Sequence, residues 1–306
     1  MPALTPVFKP FARRFASAIV LVCPAKTSLS RAAALALTLL AAPGLYAQTN
    51  LISNGDFSAP TTNGSTPTGW TKDFNSYGIY SGSASMIPHS GSYLLHAGNN
   101  SGTGGEYQDI ATTANRTYLA TLWLQGGANV GGDSLNRQQG ALVVGGASGN
   151  SSVTLGSSLL QTTAATTVAM SNATVTNFMA IGAGATGSSP WYQQASSFIA
   201  TGSTTRVGVY NVSTASFKSA ANVDDVGVYA ANDWNTNSDG NWSTGSNWAD
   251  SSAPNATGAV AAFSGVATAP RTITLDSNAT VGALIFNNAN AYTISGANSL
   301  TLSGNF

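Results

Sequence analysis

Residues 117–125 carry the plainest alternation in the chain: Tyr118, Ala120, Leu122 and Leu124 interleave with Leu119, Thr121, Trp123 and Gln125. A period of two marks a strand, because successive side chains leave a pleated backbone on opposite faces. Both sets are fairly apolar, so this strand is expected inside a sandwich. Shorter apolar runs at 92–97, 107–111, 141–144, 174–181, 206–211 and 223–229 read as further strands. Gly, Ser and Asn separate them at intervals of roughly 8 to 12 residues. That spacing predicts an all-β jelly-roll sandwich over residues 48–231.

Beyond residue 231 the texture changes. Trp234, Trp242 and Trp248 fall in an Asn- and Ser-rich stretch, followed by four short apolar pulses at 272–275, 281–286, 292–294 and 300–302. Each pulse is closed by Asn, Asp, Ser or Gly. Short pulses with Asn at the corners predict the first rungs of a right-handed parallel β-helix over 232–306, where stacked rungs bury alternate apolar residues. The three tryptophans are expected to plug its open end. The pattern is cut at Phe306 in mid-repeat, leaving an unpaired edge on the last rung, so a longer natural protein is expected.

Composition agrees with an all-β chain: charged residues are 7% of the 306, Gly numbers 33, and Glu106 is the only glutamate. Charge is distributed unevenly. Lys9, Arg13, Arg14, Lys26 and Arg31 precede residue 48, whereas all eleven acids follow it. A basic, acid-free leader with the apolar run 32–42, then Pro43-Gly44-Leu45-Tyr46-Ala47, has the three regions of a secretory signal peptide. Cleavage is expected after Ala47. An earlier apolar stretch, 16–23, reads either as a second hydrophobic element of the leader or as a sign that the true start lies further downstream. Neither run has the length of a membrane-spanning helix. The mature chain then holds no cysteine, since Cys23 lies in the leader, and neither disulfides nor thiol chemistry are available. It is also net acidic without a basic cluster, which argues against nucleic acid as a partner.

Motifs for catalysis are weak. Gly182-Ala183-Gly184-Ala185-Thr186-Gly187 fits the dinucleotide fingerprint, but Pro190 follows and the next acid is Asp224, so it reads as a glycine-rich loop. There is no G-x-S-x-G elbow, and His89 and His96 are the only histidines. Asn235, Asn237, Asp239 and Gly240 open like a calcium loop, but Ser246 stands where a bidentate glutamate is needed, so a turn is expected. No catalytic residue is assigned.

Three separated segments carry a family resemblance. They are Asn50-Leu51-Ile52-Ser53-Asn54-Gly55-Asp56-Phe57 with Gly69-Trp70; Glu106-Tyr107-Gln108-Asp109-Ile110 with Arg116-Thr117-Tyr118 and Trp123; and Val223-Asp224-Asp225-Val226. Together they resemble the jelly-roll carbohydrate-binding modules of families 4, 9 and 22, in the galactose-binding-like superfamily. Residues 126–197 depart from that pattern, being long and rich in Gly, Ser and Thr. The tail resembles the start of the autotransporter-associated β-strand repeats of large secreted bacterial proteins.

The resemblance implies a secreted or cell-surface bacterial protein that binds a polysaccharide or cell-surface glycan without catalysis. Alternatives are a structural adhesin or autotransporter-type passenger that binds no sugar, and the ancillary front end of a polysaccharide-degrading enzyme. In a jelly roll the first and last strands lie side by side. That would bring Asp56, Asp224 and Asp225 together as ligands of a structural calcium, with only one of the two consecutive aspartates facing inward. Sugars stack on aromatic faces. Trp191, Tyr192, Tyr77 and Tyr80 are the candidates for glycan contact, Trp191 and Tyr192 because they follow a loop-like stretch; Trp70 and Trp123 are expected in the core.

Overall fold

The strand over 117–125 is present and is paired on both sides, by β-strands at 192–199 and 221–230. In the computed structural model, which describes residues 48–58, 62–74, 78–81, 87–97, 104–126, 140–146, 151–155, 166–170, 174–181, 191–211, 221–304 and 306, no α-helix occurs among the described residues. The sandwich strands are β1 (Thr71–Phe74), β2 (Gly78–Ser81), β3 (Tyr93–Ala97), β4 (Gly104–Ala111), β5 (Thr117–Gly126), β6 (Gly140–Gly146), β7 (Ser151–Leu155), β8 (Thr166–Met170), β9 (Thr174–Ile181), β10 (Tyr192–Ile199), β11 (Thr204–Asn211) and β12 (Ala221–Ala230). Two antiparallel sheets of five strands form the jelly-roll layers, in the orders β1-β4-β11-β6-β9 and β10-β5-β12-β3-β2. β7 and β8 form a separate hairpin.

The core lies between the two sheets. Tyr118, Ala120, Leu122 and Leu124 of β5 join Leu95, Leu142, Val207, Val209, Val223 and Val228 in one buried cluster. The other face of β5 has a different fate. Leu119 packs into a second cluster with Ala231, Val260, Ala262 and Ile285, and Trp123 is half-buried. The apolar character of both faces therefore has two sources: the facing sheet on one side and the C-terminal tail on the other.

Residues 50–57 run beside β12 without joining its ladder. Leu51 N–H donates to the Val228 carbonyl at 2.8 Å and Val226 N–H to the Gly55 carbonyl at 2.9 Å. The Asn50 amide replaces missing ladder bonds: its Nδ2 donates to Val226 O at 3.1 Å, and its Oδ1 accepts Val228 N–H at 2.9 Å. Asn54 and Phe57 take positive φ of 50° and 49°, which turns the Phe57 ring into the core against Trp70 at 5.4 Å. Trp70 is thus a core residue, as expected from the sequence.

The tail is built from short parallel pairs. Its strands are β13 (Asn232–Asp233), β14 (Gly240–Asn241), β15 (Val260–Phe263), β16 (Arg271–Thr274), β17 (Ala279–Val281), β18 (Ala283–Phe286), β19 (Tyr292–Ser295) and β20 (Leu300–Leu302). They make three parallel ladders, β13-β15-β18, β14-β16-β19 and β17-β20. No solenoid runs through the described residues, so the expected β-helix is not established. The first turn of the tail contributes only two-residue strands, because Trp234, Trp242 and Trp248 fill its interior. Trp242 and Trp248 meet at 4.9 Å, Trp234 and Trp248 at 5.2 Å, and all three are buried around Phe263. Asn237 and Asp239 tie this segment to the next pass of the chain, accepting the N–H groups of Thr268 and Thr272 at 3.0 and 2.8 Å.

Sandwich and tail belong to one compact unit. Asp233 accepts Thr117 N–H at 3.1 Å and its hydroxyl at 2.6 Å, while Arg116 Nη2 donates to Asp250 at 2.7 Å.

Candidate functional site

The sequence Asn222-Val223-Asp224-Asp225-Val226 cannot hold a regular pleat. The register of β12 against β5 slips between Asp224 and Gly227, and Asp225 takes a φ of 48°. Such a bulge re-aims side chains. Asp224 is fully buried and Asp225 is partly exposed, yet both carboxylates reach the same turn, His89-Ser90. Asp224 Oδ2 accepts the N–H groups of His89 at 2.9 Å and Ser90 at 3.1 Å, and its Oδ1 accepts the N–H of Asp225 at 2.9 Å. Asp225 faces His89 Nδ1 at 2.6 Å and accepts the Ser90 hydroxyl at 2.6 Å. Burial pushes the Asp224 carboxyl up to about 8, with the charge of Asp225 adding and the three N–H donors opposing.

This turn lays an imidazole on an indole. The His89 ring stacks on Trp123 with centroids 3.8 Å apart and planes 17° apart, and the Trp191 ring meets His89 edge-on at 5.8 Å. Trp123 was expected in the core. It is half-buried instead, on the face of β5 away from the core cluster, with Gln193 and Asp224 as its ladder partners. Beside the stack lies an open depression of about 620 Å³, walled by Trp123, His89, Tyr229 and Phe306 and edged by Asn54, Asp56, Gln193 and Asp225.

Deeper in the same sheet His96 is buried, its Nδ1 2.7 Å from Asn222 Oδ1, and Asn222 Nδ2 donates to Gln125 at 3.2 Å. Burial lowers the His96 pKa, which suits a neutral ring in a polar brace for β3, β12 and β5.

The remaining sequence-based candidates divide. Trp191 is half-buried, and its indole N–H donates to the Ile87 carbonyl at 3.0 Å. Tyr192 is 52% exposed, but it opens strand β10 and does not sit in a loop. Tyr80 of β2 pairs with Leu94 of β3, and Tyr77 lies outside the described residues, as does the leader 1–47. Asp56 borders the depression and accepts Ser58 N–H at 3.4 Å. Its carboxylate does not join those of Asp224 and Asp225 in a ligand set. Among the described residues no group of three or more His, Cys, Asp or Glu side chains is arranged to hold a metal ion. The Asp224 and Asp225 carboxylates are engaged by the His89-Ser90 turn. Melting temperature is accordingly expected to be equal in calcium and in chelator, since a ligand of the native state alone would raise it; thermal denaturation of the full chain checks this.

Sequence reasoning missed His89, Ser90, Gln193 and Tyr229. One signal was present: the run Pro88-His89-Ser90-Gly91 precedes β3, and turns of this kind expose polar side chains.

No family model matches the sequence, and no curated protein matches it. Solved structures do. The carbohydrate-binding module TmCBM61, seen with β-1,4-galactotriose, is 15% identical, with 60% of this chain covering 99% of that one at a TM-score of 0.36. The CBM22-1 xylan-binding domain from Paenibacillus barcinonensis Xyn10C is 15% identical, with coverages of 60% and 96% and a TM-score of 0.34. A xylan-binding domain from CBM 22 is 9% identical, with coverages of 59% and 95% and a TM-score of 0.37. What the depression of this chain can hold follows from its own geometry.

Proposed function

We propose that the chain is a glycan-binding module of a secreted or cell-surface bacterial protein, acting by binding and not by catalysis. The observation that carries this reading is the depression. It combines aromatic walls with amide and carboxylate groups at its rim, which is the composition that grips the apolar face of a sugar while orienting its hydroxyls. Its volume of about 620 Å³ suits a small number of sugar rings. Asp56 and Asp225 border it and, among the described residues, no Lys or Arg does, which favours a neutral glycan over a uronic acid. Binding is favoured over hydrolysis because the Asp224 and Asp225 carboxylates already serve the His89-Ser90 turn.

The full chain is expected to bind one or more neutral polysaccharides, xylan and β-1,4-galactan being the first to try, in affinity electrophoresis and calorimetry. Trp123→Ala should weaken binding at least tenfold, a loss of about 1.4 kcal/mol or more, consistent with removing an aromatic platform. Wild-type protein that binds no neutral glycan in a broad panel would overturn the reading.

A second reading has its own support. Val260 pairs with Ala283, Arg271 with Tyr292 and Ala279 with Leu300, an offset of 21 to 23 residues repeated on three faces. Side-chain amides span steps of 24 and 23 residues beside it: Asn288 donates to Ser264 O at 2.7 Å and Asn298 to Leu275 O at 2.8 Å. Such repetition supports the opening turns of a β-helix stalk or adhesin passenger. The two readings are compatible, with the sandwich as the binding head.

A further inference from the structure

The depression does not belong to the sandwich alone. Its lining includes Gly304 and Phe306 of the tail beside Trp123, Gln193 and Tyr229 of the sandwich. The Phe306 ring is held on both sides. It meets Tyr229 edge-on at 5.0 Å, and the Gln193 side-chain amide donates to the Phe306 carbonyl. On the tail side it lies over a column of glycines: a Cβ on Gly282 or on Gly304 would come within 2.6 Å of that ring, and one on Gly282 within 2.6 Å of Gly258 Cα. The close stacking of Gly258, Gly282 and Gly304 gives the ring its seat.

Resting on the glycan reading of this depression, we propose that it is a shared site closed by the tail, so that ligand occupancy and tail docking are one coupled equilibrium. The contact that docks the tail is centred outside the depression and joins it at Tyr229 and Phe306. Leu119 packs with Ala231, Val260, Ala262 and Ile285, and the same cluster runs on to Tyr229 and Phe306. Loosening that cluster withdraws the Phe306 wall without touching Trp123, His89 or the core face of β5. Coupling is reciprocal: a ligand that needs the docked tail must also hold the tail in place. A device of this kind lets a glycan-bound head stiffen its junction with whatever the tail supports.

The test uses the full chain with xylan and β-1,4-galactan oligosaccharides. Leu119→Asp places a charge in the docking cluster and is expected to weaken binding about tenfold or more. In the wild-type protein, saturating oligosaccharide is expected to slow hydrogen exchange of the tail amides that tie successive strands. These are Gly282 N–H to Ala259 O at 2.6 Å and Ser303 N–H to Val281 O at 2.7 Å. Wild-type binding with unchanged exchange in the tail overturns the coupling and leaves the glycan reading standing, even if Leu119→Asp fails to fold. Wild-type protein that binds neither oligosaccharide removes both.

Discussion

Asp224→Ala is expected to lower the stability of the chain by about 3 to 5 kcal/mol, because it strands three backbone donors at once. The N–H groups of His89, Ser90 and Asp225 all point at this one carboxylate, which is fully buried. Each donor left without an acceptor costs about 1 to 3 kcal/mol where it is buried, and these part-buried donors fall toward the lower end of that range. A loss of this size is a large share of the net stability of an ordinary domain. Asp224→Asn should cost less, since an amide keeps one acceptor oxygen and turns a second site into a misplaced donor. Urea unfolding followed by tryptophan fluorescence separates the two, and the alanine variant should also lose glycan binding, because the His89 ring is positioned by the same turn.

The same residue gives a pH signature with a definite sign. Its folded value, pushed up to about 8 by burial, lies above the ordinary 3.8 of a carboxyl in the unfolded chain. The folded state therefore binds more protons than the unfolded state between those values. The stability tied to this group is fully present below pH 3.8 and is lost as pH rises toward about 8. Compared at pH 5 and pH 8, the wild-type protein should lose more stability on going to the higher pH than Asp224→Asn does. Equal slopes for the two proteins would remove Asp224 as the source.

Much of the scaffold is legible in the residues because it obeys a local rule. The alternation at 117–125 becomes β5, and the runs at 174–181, 206–211 and 223–229 fall on β9, β11 and β12. Strand β10 escapes the same rule: Tyr192–Ile199 reads YQQASSFI, too polar to show a period, and it is a strand because every residue from Tyr192 to Ile199 finds a partner on β5. That information is non-local. The site was hidden for a related reason. A bulge at Asp225 has no sequence period, and it alone decides that two adjacent aspartates serve one turn and that His89 covers Trp123. Trp123 looked like a core residue because alternation tells which residues share a face, but not what covers that face. In this chain one face of β5 is covered by the opposite sheet, and the other by a tail whose first residue lies more than a hundred positions away.

Gly55→Ala is the second large expected effect, and it tests the pairing of the first segment with the last strand of the sandwich. A Cβ at position 55 would collide with the carbonyl oxygen of Val226, and that oxygen is backbone, already fixed by the Asn50 amide at 3.1 Å. Nothing flexible stands there to move. Relief requires residues 50–57 to shift away from β12, which breaks the bond from Val226 N–H to Gly55 O at 2.9 Å and draws the Phe57 ring out of the core. Withdrawing a phenylalanine from a core costs about 3 to 5 kcal/mol, so the substitution should cost at least about 3 kcal/mol. Gly202→Ala is the matched comparison. A Cβ there meets nothing within 4 Å and its φ is not positive, so alanine should be neutral or stabilise by about 0.4 to 1 kcal/mol through the unfolded chain. Both variants lose the same backbone freedom, and the gap between their unfolding midpoints isolates the steric contact. A Gly55→Ala protein as stable as Gly202→Ala would mean that residues 50–57 do not lie against β12 in solution. The wall of the depression formed by Asn54 and Asp56 would then be absent as well, so the same pair of variants, assayed for oligosaccharide binding, reports whether the opening segment contributes to the site or only to the fold.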